Sequence, residues 1–287
     1  MANRPEQRFI RPDPLDRRQR LALTLRPYLP KGVRRVVRRA AWAFDPIEVA
    51  LYRRKSGEQR PIPPRELRER NAVYSVSYWY TAAEEVTGAL EAVLARHGKR
   101  IEDFGRVLDF GCGAGKAESL LHDRTELHAC DQHGPSAEWI AKAYPNVRAA
   151  HTDYDPPLPY PDRYFDLLFA WSVLTHLDRD RQRQWLAEWA RVVKPGGTII
   201  ATILGASMLP ADNEDARAAV EREGVLYIDQ PKDGAATSWF HGTSKPYGDT
   251  FNSHDSIPEL LPEGTELVEI VERAAWGQQD AVVLQRR

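Results

Sequence analysis

The chain reads as an α/β protein: a Rossmann-like, doubly wound, mostly parallel sheet with a C-terminal antiparallel hairpin, an N-terminal helical extension and a late insertion. Three observations give that class. Short apolar runs alternate with amphipathic helical stretches across residues 104–204, a rhythm that calls for a parallel sheet with helices on both faces. The first run ends in a glycine-rich turn, Gly111-Cys-Gly-Ala-Gly115. The last two strand-like segments, 267–272 and 281–285, have only a short connection, which suits antiparallel pairing.

Taken in order, the first thirty residues are rich in Arg and Pro with little apolar periodicity and predict an extended arm. From Gly32, Val33, Val36, Val37, Ala40 and Phe44 recur at helical spacing while Arg34, Arg35, Arg38 and Arg39 fill the other face, which predicts a short basic amphipathic helix. Such a helix either docks on the domain with its Arg face solvated or attaches to an anionic membrane surface or a phosphorylated carrier lipid. Pro61, Pro63 and Pro64 mark a linker, so residues 1–64 form the arm and helix, and 65–287 the main domain. Helical stretches start near Arg65 and Thr81. Strands follow at 106–110, 126–130, 146–150, 165–171 and 198–204. Helices are predicted at 116–121, 136–143 and 179–193, the last ending at Lys194-Pro-Gly-Gly197. Residues 205–262 break the rhythm as an insertion before the terminal hairpin.

Composition excludes several classes. The 287 residues hold 40 Lys plus Arg against 41 Asp plus Glu, with 42% hydrophobic and 28% charged residues, as in ordinary soluble domains. Residues 1–60 nevertheless hold 16 Lys or Arg against 6 Asp or Glu, a balance of +10, so the rest carries −11. Two cysteines make neither a disulfide framework nor a clustered zinc site. No secretory leader or spanning helix is visible, so a cytoplasmic protein is expected, with the inner membrane surface as the alternative for the basic helix.

In open α/β sheets ligands bind beyond the carboxyl ends of the strands, which directs attention to 109–115, Asp131, Asp153 and 171–176. Glycines there allow a tight turn and close approach of backbone to a nucleoside-containing ligand. The spacing is Gly-x-Gly-x-Gly, and Asp109 precedes it by two residues. That carboxylate would serve a pyrophosphate poorly and an ammonium group well. Lys116 is followed by Ala117, so no P-loop is completed.

Val-Leu-Asp-Phe-Gly-Cys-Gly-Ala-Gly-Lys, an acid closing the second strand, and Arg-Val-Val-Lys-Pro-Gly-Gly-Thr before the fifth together resemble class I S-adenosylmethionine-dependent methyltransferases. The resemblance covers residues 104–204 and the terminal hairpin in outline. It implies S-adenosyl-L-methionine as cofactor and S-adenosyl-L-homocysteine as product. Asp109, Gly111, Cys112, Gly113, Ala114 and Gly115 would then hold the methionine portion. Asp131, with Gln132 after it, would accept the ribose hydroxyls, against the rival reading of a helix N-cap before Ser136. Asp153 and Tyr154 would meet the adenine, against the rival reading of a surface turn, and Trp171 and Ser172 would line the sulfonium pocket, against the rival of core for Trp171. Cys112 and Cys130 otherwise read as small packed residues.

Transfer to a hydroxyl needs its proton removed. His176 is the best-placed base and His241 the second. No metal-ligand cluster is apparent. Tyr78, Tyr80, Trp239 and His254 are the acceptor-side candidates, because aromatic faces stack on sugar rings while polar edges hydrogen-bond. The Pro-rich arm, Phe240-His-Gly-Thr243 and the final Gly277-Gln-Gln-Asp280 resemble bacterial methyltransferases of surface-polysaccharide or glycolipid assembly, in which Asn252 replaces a usual histidine. A sugar or glycan hydroxyl is therefore the expected acceptor. The alternatives are a small natural product or phenol, and a non-catalytic cofactor-binding protein. Ala170-Trp-Ser-Val173 stands where an amine-methylation tetrad would be, which disfavours nucleic-acid base methylation.

Overall fold

The computed structural model describes residues 30–71, 73–209, 213–229 and 248–287. The expected arm, Trp239 and His241 lie outside the described residues. Five strands, β1 (Arg106–Phe110), β2 (Glu126–Asp131), β3 (Arg148–His151), β4 (Phe165–Ala170) and β5 (Val193–Gly205), pair in parallel in the order β3-β2-β1-β4-β5. The hairpin strands β8 (Thr265–Ala275) and β9 (Gln279–Arg286) complete the sheet, β9 antiparallel to β5 and β8 antiparallel to β9. The predicted fold class holds.

Strand alternation sorts the core into two layers. Val107, Leu127, Leu167 and Phe169 face α3 (Val76–Arg96) and α5 (Gly134–Ala143). Leu108, Phe110, Leu168 and Ala170 face α6 (Arg179–Val192), whose Trp185, Leu186 and Trp189 fill the second layer. Because Asp109 lies between Leu108 and Phe110, it points into the α3 layer. It is buried there beside the first turn of α4 (Glu118–Leu121).

Helix α3 starts five residues before the predicted point. Ser75 caps it by accepting from the Tyr78 amide at 3.1 Å, so Tyr78, Trp79 and Tyr80 are helical. Trp79 and Tyr80 are buried. Tyr80 stacks on Tyr52 with centroids 5.6 Å apart and donates its hydroxyl to the Arg60 carbonyl. This corrects its assignment to the acceptor pocket: the helical phase turns Tyr80 into the core.

Residues 205–209, 213–229 and 248–262 of the insertion lie among the described residues. They contain α7 (Glu214–Glu223), β6 (Val225–Asp229), β7 (Gly248–Asn252) and α8 (Ile257–Leu260). Strand β7 runs parallel to the end of β5, Leu204 opposite Phe251, and β6 pairs antiparallel with β7. Asn252 is buried and exchanges amide hydrogen bonds with Gln182 at 3.2 and 2.9 Å, a packing role that a histidine would not reproduce.

The N-terminal helix α1 (Lys31–Ser56) is 26 residues long and ends where Gly57 takes φ +75° and donates to the Arg53 carbonyl. It docks through Trp42, which donates to Glu69, and through Asp45, which pairs with buried Arg68 of α2 (Arg65–Arg70). A buried guanidinium without its carboxylate is an uncompensated charge. Asp45→Ala is expected to cost about 3 kcal/mol in urea unfolding, with Arg68 left only the Pro63 carbonyl.

Candidate active site

The carboxyl ends of β1, β2 and β4 open into one cavity of about 450 Å³, within the range of small-molecule sites. Its floor is the turn after β1. Gly111 and Gly113 adopt φ +76° and +57°. A Cβ on Gly111 would lie 2.6 Å from Val173 Cγ2, and one on Gly113 would lie 2.1 Å from Asn71 Oδ1. Only glycine fits either position. The Gly111 and Cys112 amides donate to the Cys130 carbonyl at 2.8 and 3.1 Å, which ties the turn to the end of β2.

Asp131 braces the same turn from the next strand. Its two carboxylate oxygens accept from the amides of Gly113, at 2.9 Å, and His133, at 2.7 Å. Each oxygen keeps a second lone pair for a ligand hydroxyl. Asp109 and Glu118 lie deeper, and Glu118 meets no donor at full hydrogen-bond geometry. Burial, then the neighbouring Glu118 and Asp131, pushes the Asp109 carboxyl well above the usual range. Burial also pushes Glu118 up to about 7, partly opposed by its own backbone amide and by Asp109. Three carboxyls around a glycine cradle, one without full partners, suit a cationic ligand that carries a nucleoside.

The pH dependence of that cluster has a definite sign. A carboxyl that stays protonated to about 7 when folded favours the fold at low pH, and this contribution is lost as pH rises from the unfolded value through 7. Bound cation reverses the loss. The rise in melting temperature on adding S-adenosylmethionine is expected to be larger at pH 8 than at pH 6, and Glu118→Gln is expected to flatten the difference. Scanning calorimetry checks it; an unchanged slope in that variant would remove Glu118 from the linkage.

The structure brings many of the sequence candidates together and sends others elsewhere. Asp109, Gly111, Cys112, Gly113, Asp131, Gln132, Asp153, Tyr154, Trp171, Ser172, His176 and Tyr78 all line the cavity. Ala114 and Gly115 do not: Ala114 packs among Leu67, Val76 and Trp79, and Gly115 turns towards Ile140. Cys130 is fully buried behind the turn. His254 is likewise off the cavity, and its Nε2 lies 2.8 Å from the Asp280 carboxylate, tying the insertion to the terminal hairpin. That corrects its assignment to the acceptor side.

Ser172 holds φ +55°, an uncommon conformation for a residue with a side chain. Its amide donates to Thr202 Oγ1 at 2.7 Å, and its hydroxyl pairs with Gln279, which also accepts from Thr202. The constraint points the β4 turn into the cavity. Gln279, the first residue of β9, and Gln278 and Trp276 in the turn before it join the wall, as do Arg70 and Asn71 at the end of α2. Sequence reasoning missed these residues. They lie some 40 to 170 positions from the glycine turn, and although Gln278 and Gln279 fall in the Gly277–Asp280 stretch noted above, nothing in its spacing places it at the cofactor cavity. Glu118 had a local signal, an acid three residues after Gly115.

His176 ends a 3₁₀ turn, Leu174–His176, after β4. Its Nδ1 donates to the Gly248 carbonyl at 2.8 Å, with Asp249 Oδ1 at 3.6 Å. A carbonyl only accepts, so Nδ1 carries the proton and Nε2 the basic lone pair. Burial lowers the His176 pKa below its ordinary value, opposed by Gly248 and Asp249.

Residues 107–197 match the family model described as a methyltransferase domain. A 136-residue stretch is 33% identical to the malonyl-[acyl-carrier protein] O-methyltransferase of Enterobacter lignolyticus (strain SCF1), covering 46% of this chain and 51% of that protein. The chain thus spans about half the length of that curated relative. A Mesorhizobium loti S-adenosylmethionine-dependent methyltransferase superposes with TM-score 0.51 at 16% identity, covering 69% of this chain and 98% of its own. A second such enzyme, from Aquifex aeolicus, gives TM-score 0.48 at 16% identity, covering 79% of this chain and 100% of its own. Residues 107–197 thus match a methyltransferase domain, in a fold shared with the Mesorhizobium loti enzyme and around a cleft that suits a cationic, nucleoside-bearing cofactor such as S-adenosylmethionine.

Proposed function

We propose that this protein transfers a methyl group from S-adenosylmethionine to a hydroxyl of a sugar or glycan, with His176 as the base. The sulfonium of the bound cofactor supplies the activated methyl. What the chain supplies is position and proton removal. The glycine turn, Asp109 and Asp131 hold the cofactor at the sheet edge, and the β4 turn at Trp171 and Ser172 faces it from the other side. In-line displacement gains most from holding the acceptor oxygen on the methyl axis in a site shielded from water.

The observation that carries the reading is the orientation of His176. Its Nδ1 is committed to Gly248, which makes Nε2 the basic atom of a cavity-lining imidazole. A carboxylate acceptor is already a nucleophile at neutral pH and needs no base, whereas a hydroxyl does. The base thus favours a hydroxyl over the acid group implied by the name of the Enterobacter relative. The wall favours a sugar over a phenol. Tyr78, Trp171 and Trp276 line it with aromatic rings, and the Gln278 amide and the Asp153 carboxylate supply polar groups suited to a polyhydroxylated ring.

Incubation with methyl-labelled S-adenosylmethionine and panels of free sugars, glycolipid glycans, phenols and malonyl-acyl carrier protein tests this. Mass spectrometry is expected to find the label as a sugar methyl ether. Label only in a phenol or a malonyl ester would overturn the sugar reading.

A further inference from the structure

Among the described residues, helix α1 carries an apolar stripe that its own domain does not cover. Val33, Val36, Ala40, Phe44, Ile47 and Leu51 recur three or four residues apart and fall within an arc of about 80° at roughly 100° per residue. Val33 is 45% exposed, Val36 67%, Phe44 66%, Ile47 56% and Leu51 63%. The helix is held to the domain by the opposite side, through Trp42, Asp45 and Tyr52. An amphipathic helix ordinarily buries its apolar face against its own fold. This one presents that face outward.

The charge around the stripe says what chemistry covers it. Helix α1 holds eight Lys or Arg and two Asp or Glu. Arg39, Arg54 and Lys55 are exposed, and helical phase puts Arg54 and Lys55 at the two margins of the stripe. Among the described residues no helix is long and apolar enough to cross a membrane. An outward apolar face with cationic margins on a non-spanning helix matches a surface whose interior is hydrocarbon and whose rim is phosphate.

We propose that α1 is an interfacial helix that seats the protein on an anionic phospholipid surface. The apolar stripe enters the headgroup boundary, and Arg39, Arg54 and Lys55 meet lipid phosphates. The docked side of the helix leads through Asp45 and Arg68 to α2, whose last residues reach the cavity at Arg70 and Asn71. The seating therefore places the cleft beside the membrane, whatever the acceptor.

The test is sedimentation of the full chain with vesicles of phosphatidylcholine alone or with about one-third phosphatidylglycerol. The protein is expected to sediment with the anionic vesicles, to stay in solution with the neutral ones, and to be released by high salt. A double variant, Phe44→Glu with Leu51→Glu, is expected to lower the sedimented fraction at least tenfold while its circular dichroism and S-adenosylmethionine affinity stay unchanged. Both side chains are exposed, so the variant keeps the fold. Absence of sedimentation with anionic vesicles, equal sedimentation with neutral ones, or retention by the double variant would each overturn the proposal. A wild-type dimer that the double variant dissolves, without vesicle binding, would assign the stripe to a second copy.

Discussion

Asp131→Ala is expected to raise the dissociation constant for S-adenosylmethionine about 100-fold, or about 2.7 kcal/mol, in a protein that stays folded. The carboxylate does two jobs. It accepts from the Gly113 and His133 amides, which holds the turn open, and in the proposed complex its remaining lone pairs would accept the adjacent ribose hydroxyls. Hydrogen bonds to a charged group contribute roughly 1.5–3 kcal/mol each, so losing two ligand contacts is enough for the effect. Asp131→Asn keeps the size and one acceptor oxygen and is expected to fall between. Titration calorimetry reads the affinity and circular dichroism reads the fold. A folded alanine variant with near-normal affinity would remove the ribose assignment.

His176→Ala is expected to lose about 10²- to 10⁴-fold in turnover on a hydroxyl acceptor, with affinity for the cofactor nearly unchanged. The pH profile separates a base from a packing residue. Burial lowers the imidazole pKa, so the wild-type rate is expected to fall as pH drops through a value below 6.5. Asp249 raises that pKa from 3.6 Å away. Asp249→Asn should therefore shift the acidic limb to lower pH. If the limb does not move, or the alanine variant turns over normally, His176 is not the base.

Much of the architecture was legible because it is local. The glycine turn is legible because backbone conformation and close packing at Gly111 and Gly113 admit no side chain. Strands β1, β2 and β4 were legible as apolar runs buried on both faces, and their ends located Asp109, Asp131 and Trp171 without any knowledge of pairing. Boundaries were less secure. Tyr78, Trp79 and Tyr80 stand before the predicted start near Thr81, yet one capping hydroxyl at Ser75 begins the helix at Val76, and the resulting phase separates Tyr78 on the cavity from Tyr80 in the core.

The acceptor side was hardly legible. Trp276, Gln278 and Gln279 come to Ser172 only because β9 inserts beside β5. His254, an attractive polar candidate in sequence, is claimed by Asp280 instead. The outward stripe of α1 was visible as periodicity, but periodicity does not say which side of a helix meets the domain.

By itself the sequence determined the sheet, its glycine turn and the acids at the strand ends, since these follow from side-chain period and from the steric demands of single positions. Only the tertiary structure decided which distant residues wall the cavity, which nitrogen of His176 is basic, how Asp109 and Glu118 share a buried space, and which face of α1 meets water. Those outcomes depend on contacts between segments far apart in the chain, and on the desolvation and charge that such contacts impose.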